Sequence, residues 1–257
     1  MSMRKKHDHY QERKMMTTLV VGASGATGKL LVEQLLNQNE RVKIIVRTMT
    51  SLPETIRNNE NVSVICASVL DLSDEEMIRH VKGCSAVASC LGHNLSFKGI
   101  YGQPRRLVTD ATRRLCSAIK ENSPEQPVKF VLMNTTGNRN QDLSEKISFG
   151  QKCVIWLVRL LLPPHVDNEK AADYLRTKIT QNNGVVEWAA VRPDNLIDED
   201  EVTEYEIHPS PTRSAIFDAG TTSRINVGHF MAELITNHDT WTKWKGQMPV
   251  IYNKTKA

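Results

Sequence analysis

A doubly wound α/β domain with a parallel sheet is the fold class that this 257-residue sequence predicts. Three observations carry that expectation. Short apolar runs of strand length alternate with stretches whose apolar residues recur at helical spacing. Strands separated in this way pair in parallel through right-handed crossovers. The first run meets the first helical stretch at a glycine-rich turn, Gly22-Ala23-Ser24-Gly25-Ala26-Thr27-Gly28. The length suits one core, so a single domain over residues 17–257 is expected, preceded by a disordered basic leader over 1–16.

Residues 17–22 read as a buried strand, and 29–37 place leucines and a valine on one helical face. A second strand is expected at 41–47 and a third at 62–67, with Pro53 interrupting the connection. Ser73-Asp74-Glu75-Glu76 has the spacing of a capping box, which starts a helix near Ser73. A fourth strand at 86–91 ends in Gly92, and a helix from 104 to 122 would carry Pro104 in its first turn. Residues 128–133 form the fifth strand, 168–179 a helix, 185–191 the sixth strand, 227–236 a helix and 250–252 a short additional strand. The apolar stretch 153–164, interrupted by Arg159 and ended by two prolines, reads as a lid helix, a core helix or a self-association surface. Stretches 93–103, 138–150 and 194–222 show little periodicity.

The formal charge of +4 is uneven. Arg4, Lys5, Lys6, Arg13 and Lys14 face only Asp8 and Glu12 in the leader, which leaves a nearly neutral body. Such a body gives no reason to expect nucleic acid or an anionic membrane as partner. Cys66, Cys84, Cys90, Cys116 and Cys153 show no metal-ligand spacing, and their odd number fits a closed disulfide framework poorly. A reducing cytoplasm is therefore expected. The stretch 153–164 is too short to span a bilayer. The acidic run from Asp198 to Glu204 reads as solvated loop, with no histidine or cysteine to make it a metal site.

A pyrophosphate needs donors and close backbone approach, which a glycine turn feeding a helix N-terminus supplies. Gly22 ends the strand, Gly25 permits the approach and Gly28 lets the helix pack closely. Ser24 and Thr27 offer hydroxyls. The competing phosphate motif GxxxxGK[ST] fails, because Ala23 stands at its first glycine and Leu30 at its hydroxyl position. These features predict a Rossmann fold of strand order 3-2-1-4-5-6. A site for NAD(H) places Asp or Glu at the end of the second strand, whereas a 2′-phosphate calls for a cation there. This chain has Arg47, close to the spacing of about 20 residues past the glycines. NADP(H) is thus favoured and NAD(H) possible, unless Arg47 is an ordinary surface arginine.

With Asp71 after the third strand, Leu91-Gly92 after the fourth and Val191-Arg192-Pro193 at the sixth, the chain resembles the atypical short-chain dehydrogenase/reductases. Within them it is similar to the NAD(P)H-binding, NmrA-like group that includes flavin reductases of the biliverdin reductase B type. The resemblance spans about residues 17–252. It implies that Leu70 and Asp71 border the adenine, that the loop from Leu91 to Asn94, with Gly92 and His93, borders the nicotinamide ribose, and that Arg192, Pro193 and Asp194 border the substrate side, with Arg192 and Pro193 also among the cofactor-binding residues. Asp71 reads equally well as a cap for the next helix, and His93 as a satisfied loop histidine. The segment 223–235 resembles a helix start in the family, with Asn226 as its cap and Arg224 toward the pocket.

The broader superfamily uses a serine near the fifth strand and a Tyr-x-x-x-Lys pair on the next helix. Tyr174 and Lys178 match that spacing, yet Lys178 stands only 14 residues before Arg192, whereas Lys170 stands 22 before it. With Lys170 in the lysine register, Val166 occupies the tyrosine position and no phenol is present. At the end of the fifth strand Thr135 and Thr136 replace the serine. Two functions suit this pattern. One is an NADPH-dependent reductase passing hydride to a flavin, quinone or small carbonyl acceptor, with Thr135, Thr136, His165 and Lys170 on the substrate side. The other is a non-catalytic NAD(P)-binding sensor of the NmrA-like type. The expected partners are a dinucleotide and an unidentified small acceptor, in a monomer or dimer.

Overall fold

The computed structural model describes residues 15–93, 96–145 and 148–254; residues 1–14 of the expected basic leader and Asn94 lie outside the described residues. Its middle layer is an eight-stranded sheet. Apolar β1 (Thr17–Val21) pairs in parallel with β2 (Arg41–Val46), which pairs with β3 (Val62–Cys66). On its other side β1 pairs with β4 (Ala86–Ser89), followed by β5 (Val128–Met133) and β6 (Val186–Pro193), all parallel. The order 3-2-1-4-5-6 is the one the sequence predicts. Beyond β6, two strands extend the sheet: β10 (Val250–Asn253), parallel to β6, and β8 (Tyr205–His208), antiparallel at the edge. The short β7 (Asn195–Ile197) and β9 (Thr221–Ser223) pair apart from it.

Side chains alternate across the pleat, so each strand feeds two cores. Leu19 and Val21 join one cluster with α3 (Asp74–Val81), α5 (Leu107–Glu121) and α7 (Pro163–Tyr174). Val20 joins the other with α1 (Ala26–Asn37), α2 (Glu54–Arg57), α8 (Arg224–Thr236) and α9 (His238–Trp244). Two helices stay outside these layers: α4 (Phe97–Tyr101) and α6 (Phe149–Leu161). The hydroxyl of Tyr101 in α4 donates to the carbonyl of Leu161 at 2.9 Å, tying the two together. Helix α6 leaves Trp156, Leu157, Leu160 and Leu161 exposed, so it is not a core helix. No helix among the described residues is long and apolar enough to cross a membrane.

Ser73 caps α3 as its spacing predicts: its hydroxyl accepts from Glu76 N, and the Glu76 carboxylate accepts from Ser73 N at 2.8 Å. Replacing Ser73 with alanine is expected to cost about 1 kcal/mol, measurable by urea unfolding.

Several boundaries differ from expectation. Pro163 and Pro164 do end the apolar stretch, but they also open α7, since proline suits the first helical positions where no N–H is needed. The helix expected over 104–122 is α5 and begins at Leu107, past Pro104, where Asp167 meets its first-turn donors. Ser223 rather than Asn226 caps α8; the Asn226 amide is spent on Thr203 and Asn253. The stretch 194–222 holds β7, β8 and part of β9, too short for a period to show.

Candidate functional site

At the C-terminal edge of the sheet, the chain leaves β1 toward one face and β4 toward the other, which opens a crevice between them. A groove of about 580 Å³ occupies it. Gly22, Ser24, Gly25, Ala26 and Thr27 form its floor, Arg47 and Ser51 one flank, Ala67, Ser68 and Val69 the next. Leu91, Gly92, His93 and Met133 line the opposite end.

The floor depends on two glycines. Gly22 has φ +77°, and a Cβ there would lie 2.6 Å from the carbonyl carbon of Cys90. A Cβ on Gly28 would lie 2.1 Å from the Gly22 oxygen. Gly28 therefore lets the turn close on itself, in addition to seating the helix.

The groove fits an anion at the start of α1. Five other helices have their first-turn donors met by protein oxygens: Ser73 on α3, Asp167 on α5, Ser148 on α6, Ser223 on α8 and Asn237 on α9. Helix α1, capped by Gly25, has no side-chain acceptor and no acidic residue in its first turn. Its free N–H groups and dipole face the groove, the arrangement a pyrophosphate requires. Arg47 stands exposed at the end of β2, and among the described residues its guanidinium meets no carboxylate.

The structure places Leu70 and Asp71 outside the groove lining. Arg114 gathers this loop by donating to the carbonyls of Val69, Leu70 and Leu72 and to Asp74. Leu70 consequently packs on the core, and Asp71 projects into solvent without capping α3. Ala67, Ser68 and Val69 take the position expected of that pair. Their small side chains carry no chemical signal, and only the strand-end location could have pointed to them.

Arg192 also departs from expectation. It is fully buried, pairs with Glu145 at 2.8 Å, and donates to the carbonyls of Met248, Asn138 and Pro209. No donor is left for a ligand, so it fixes the sheet edge to the loops around it. Pro193 is a buried strand residue whose carbonyl accepts from Thr136 N at 3.0 Å. Asp194 binds the Thr136 hydroxyl and Gly220 N. Arg224 pairs with Asp198 instead of facing the groove.

Of the expected substrate-side residues, Thr135 and His165 meet around Gly137. Thr135 Oγ1 accepts from Gly137 N at 3.3 Å, and a Cβ on Gly137 would touch the His165 ring at 3.1 Å. His165 Nε2 stands 3.3 Å from Glu169, which Arg159 also holds. Those two basic partners keep the Glu169 carboxyl below its ordinary range, against burial, which is the largest influence and raises it. Thr136 and Gly137 line a second cleft of about 400 Å³ with Ser148, Gln151 and the 211–215 loop. Lys170 departs from expectation: it is exposed and lines neither cleft, because α7 turns that position to solvent. Tyr174 packs on the core under Arg113, and burial pushes its phenol up.

Asp167 is the residue the sequence reading missed. Its Oδ2 accepts from Val108 N at 2.8 Å and lies 2.9 Å from His93 Nε2, while Oδ1 accepts from Thr109 N at 3.0 Å. Its partners lie 58 to 74 residues away in the chain, so no local signal marks it.

A family profile described as NAD(P)H-binding matches residues 22–238. Averufin oxidase A of Aspergillus flavus is 24% identical over 197 residues, which make up 72% of this chain. The match spans 66% of that relative, just under two thirds of its length. A short-chain dehydrogenase/reductase from Veillonella parvula, solved in complex with NADP, superposes with a TM-score of 0.66 at 17% identity, covering 93% of this chain and 94% of that one. ChuY, an anaerobillin reductase from Escherichia coli O157:H7, gives 0.65 at 15% identity, covering 94% and 99%. At such identities the likeness to these structures is one of fold.

Proposed function

Because this chain belongs to the NAD(P)H-binding family, we propose that it is an NADPH-dependent oxidoreductase that passes hydride to a flavin, quinone or small carbonyl acceptor. The observation that carries this reading is the bare N-terminus of α1, opening on a groove whose flank holds Arg47. The turn 22–28 would hold the pyrophosphate, and Arg47, beside Ser51 and Ser68, a 2′-phosphate. Leu91, Gly92, His93 and Met133 would border the nicotinamide end. The cofactor supplies the hydride; the protein orients it.

Titration of the protein with NADPH and with NADH, followed by cofactor fluorescence, tests the reading. NADPH is expected to bind more tightly. Arg47→Glu should remove that preference by weakening NADPH about ten- to hundredfold, the worth of a charged hydrogen bond to phosphate. Equal affinities in the unaltered protein reject the role of Arg47, and no binding of either rejects the site.

A non-catalytic sensor is the second reading, favoured by Val166 at the tyrosine register and by the outward Lys170. NADPH oxidation in a screen of flavins, quinones and aldehydes rejects it. Binding without any turnover supports it.

A further inference from the structure

Reducing a carbonyl takes a proton as well as a hydride, because the pair of electrons displaced from the C=O bond collects on oxygen. With valine at the tyrosine register and Tyr174 committed to the core, no phenol among the described residues faces the groove. Among the described residues that line it, three carry titrating side chains: Arg47, Cys90 and His93. An arginine keeps its proton. Burial pushes the Cys90 thiol up to about 12. An imidazole is the side chain that ordinarily exchanges protons near neutrality.

His93 is also held as a proton-transfer group needs to be. Its Nε2 lies 2.9 Å from Asp167 Oδ2, with the ring 6% and the carboxylate 1% exposed. The carboxylate cannot drift, since Val108 N and Thr109 N in the first turn of α5 both donate to it. The Thr109 hydroxyl anchors its backbone carbonyl at 2.9 Å. A carboxylate fixed on one ring nitrogen sets the tautomer and leaves the other nitrogen as the site of exchange. That other nitrogen, Nδ1, lies 3.2 Å from the carbonyl of Gly99, a residue that lines the groove, so the acceptor's oxygen has to replace that carbonyl as its hydrogen-bond partner for the proton to pass.

We propose that His93 donates the proton in the reduction of a carbonyl acceptor, with Asp167 as its positioning residue; this rests on the NADPH-dependent reductase reading above. The acceptor carbon gains a hydride from the bound dihydronicotinamide and forms a C–H bond as the C=O π bond breaks. The electron pair moves to oxygen, which takes the proton from Nδ1 to form O–H. The dinucleotide leaves oxidised, and solvent returns a proton to the ring. The acceptor class selected is an aldehyde or ketone, whose alkoxide has to be quenched. A flavin, stable as its reduced anion, makes no such demand.

The test uses the full chain with NADPH and two probes, nitrobenzaldehyde and FMN. In His93→Gln, kcat for the aldehyde should fall about a hundredfold or more relative to kcat for FMN, the usual worth of a placed general acid. The loss should fall on kcat rather than KM, with the NADPH dissociation constant of each variant measured beside it so that rates are compared at saturating cofactor. The pH profile of aldehyde turnover should carry a limb in the unaltered enzyme that His93→Gln lacks. Asp167→Asn should lower the aldehyde rate less than His93→Gln while keeping the pH limb. A kcat ratio within about threefold of the unaltered enzyme overturns the proposal. FMN turnover with no aldehyde turnover overturns it too, while leaving the reductase reading standing. Failure of the unaltered protein to bind NADPH, or to reduce any acceptor, fails that reading instead.

Discussion

Replacing Gly22 with alanine is expected to abolish NADPH binding and to destabilise the fold by about 3 kcal/mol. Two independent costs add. Gly22 sits at φ +77°, where an L-residue with a Cβ loses roughly 1–2 kcal/mol. The added carbon would also fall 2.6 Å from the carbonyl carbon and oxygen of Cys90 and 2.8 Å from Leu91 N. These are backbone atoms at the end of β4 and cannot swing aside, so overpacking of about 1–3 kcal/mol follows. The chain can relieve the clash only by parting β1 from β4 at the groove floor. That movement shifts the turn 22–28 and the Leu91–Gly92 wall together, the two sides between which the cofactor would lie. The measurement is NADPH fluorescence titration beside thermal unfolding. An alanine variant that binds NADPH with unchanged affinity would show that this turn is not the cradle.

That glycine turn was legible because its chemistry is local. Strand, turn and helix follow one another between Thr17 and Asn37, and each needs only its neighbours to be understood. The capping box at Ser73 and the alternation behind the order 3-2-1-4-5-6 share this property. Residues whose role depends on distant partners were not legible. Asp167 acts through Val108, Thr109 and His93, which the fold brings to it from far along the chain. The loop after β3 is shaped by Arg114 from α5, which is why Leu70 and Asp71 turned away from the groove while Ala67 and Ser68 faced it. Two prolines ending one apolar stretch looked like a terminator, although the same ring geometry starts α7.

The other large effect concerns Arg192, whose position at the end of β6 resembles a cofactor-side residue and whose environment makes it a structural one. Arg192→Met is expected to destabilise the protein by about 3–5 kcal/mol, because Glu145 would be left charged and buried. For a chain of this size that lowers the melting temperature by roughly 10 °C. Glu145→Leu should cost a similar amount, stranding the guanidinium and also removing the acceptor for Asn140 N at 2.8 Å. Exchange of both residues for apolar ones removes the stranded charge but leaves the carbonyls of Met248, Asn138 and Pro209 without their donor. The double variant should therefore be more stable than the sum of the single losses predicts, yet should not regain the stability of the unaltered protein. Cofactor titration below the transition separates the two roles. A structural Arg192 predicts that folded Arg192→Met binds NADPH within a few-fold of the unaltered chain. A cofactor-binding Arg192 predicts a small change in melting temperature and a large loss of affinity.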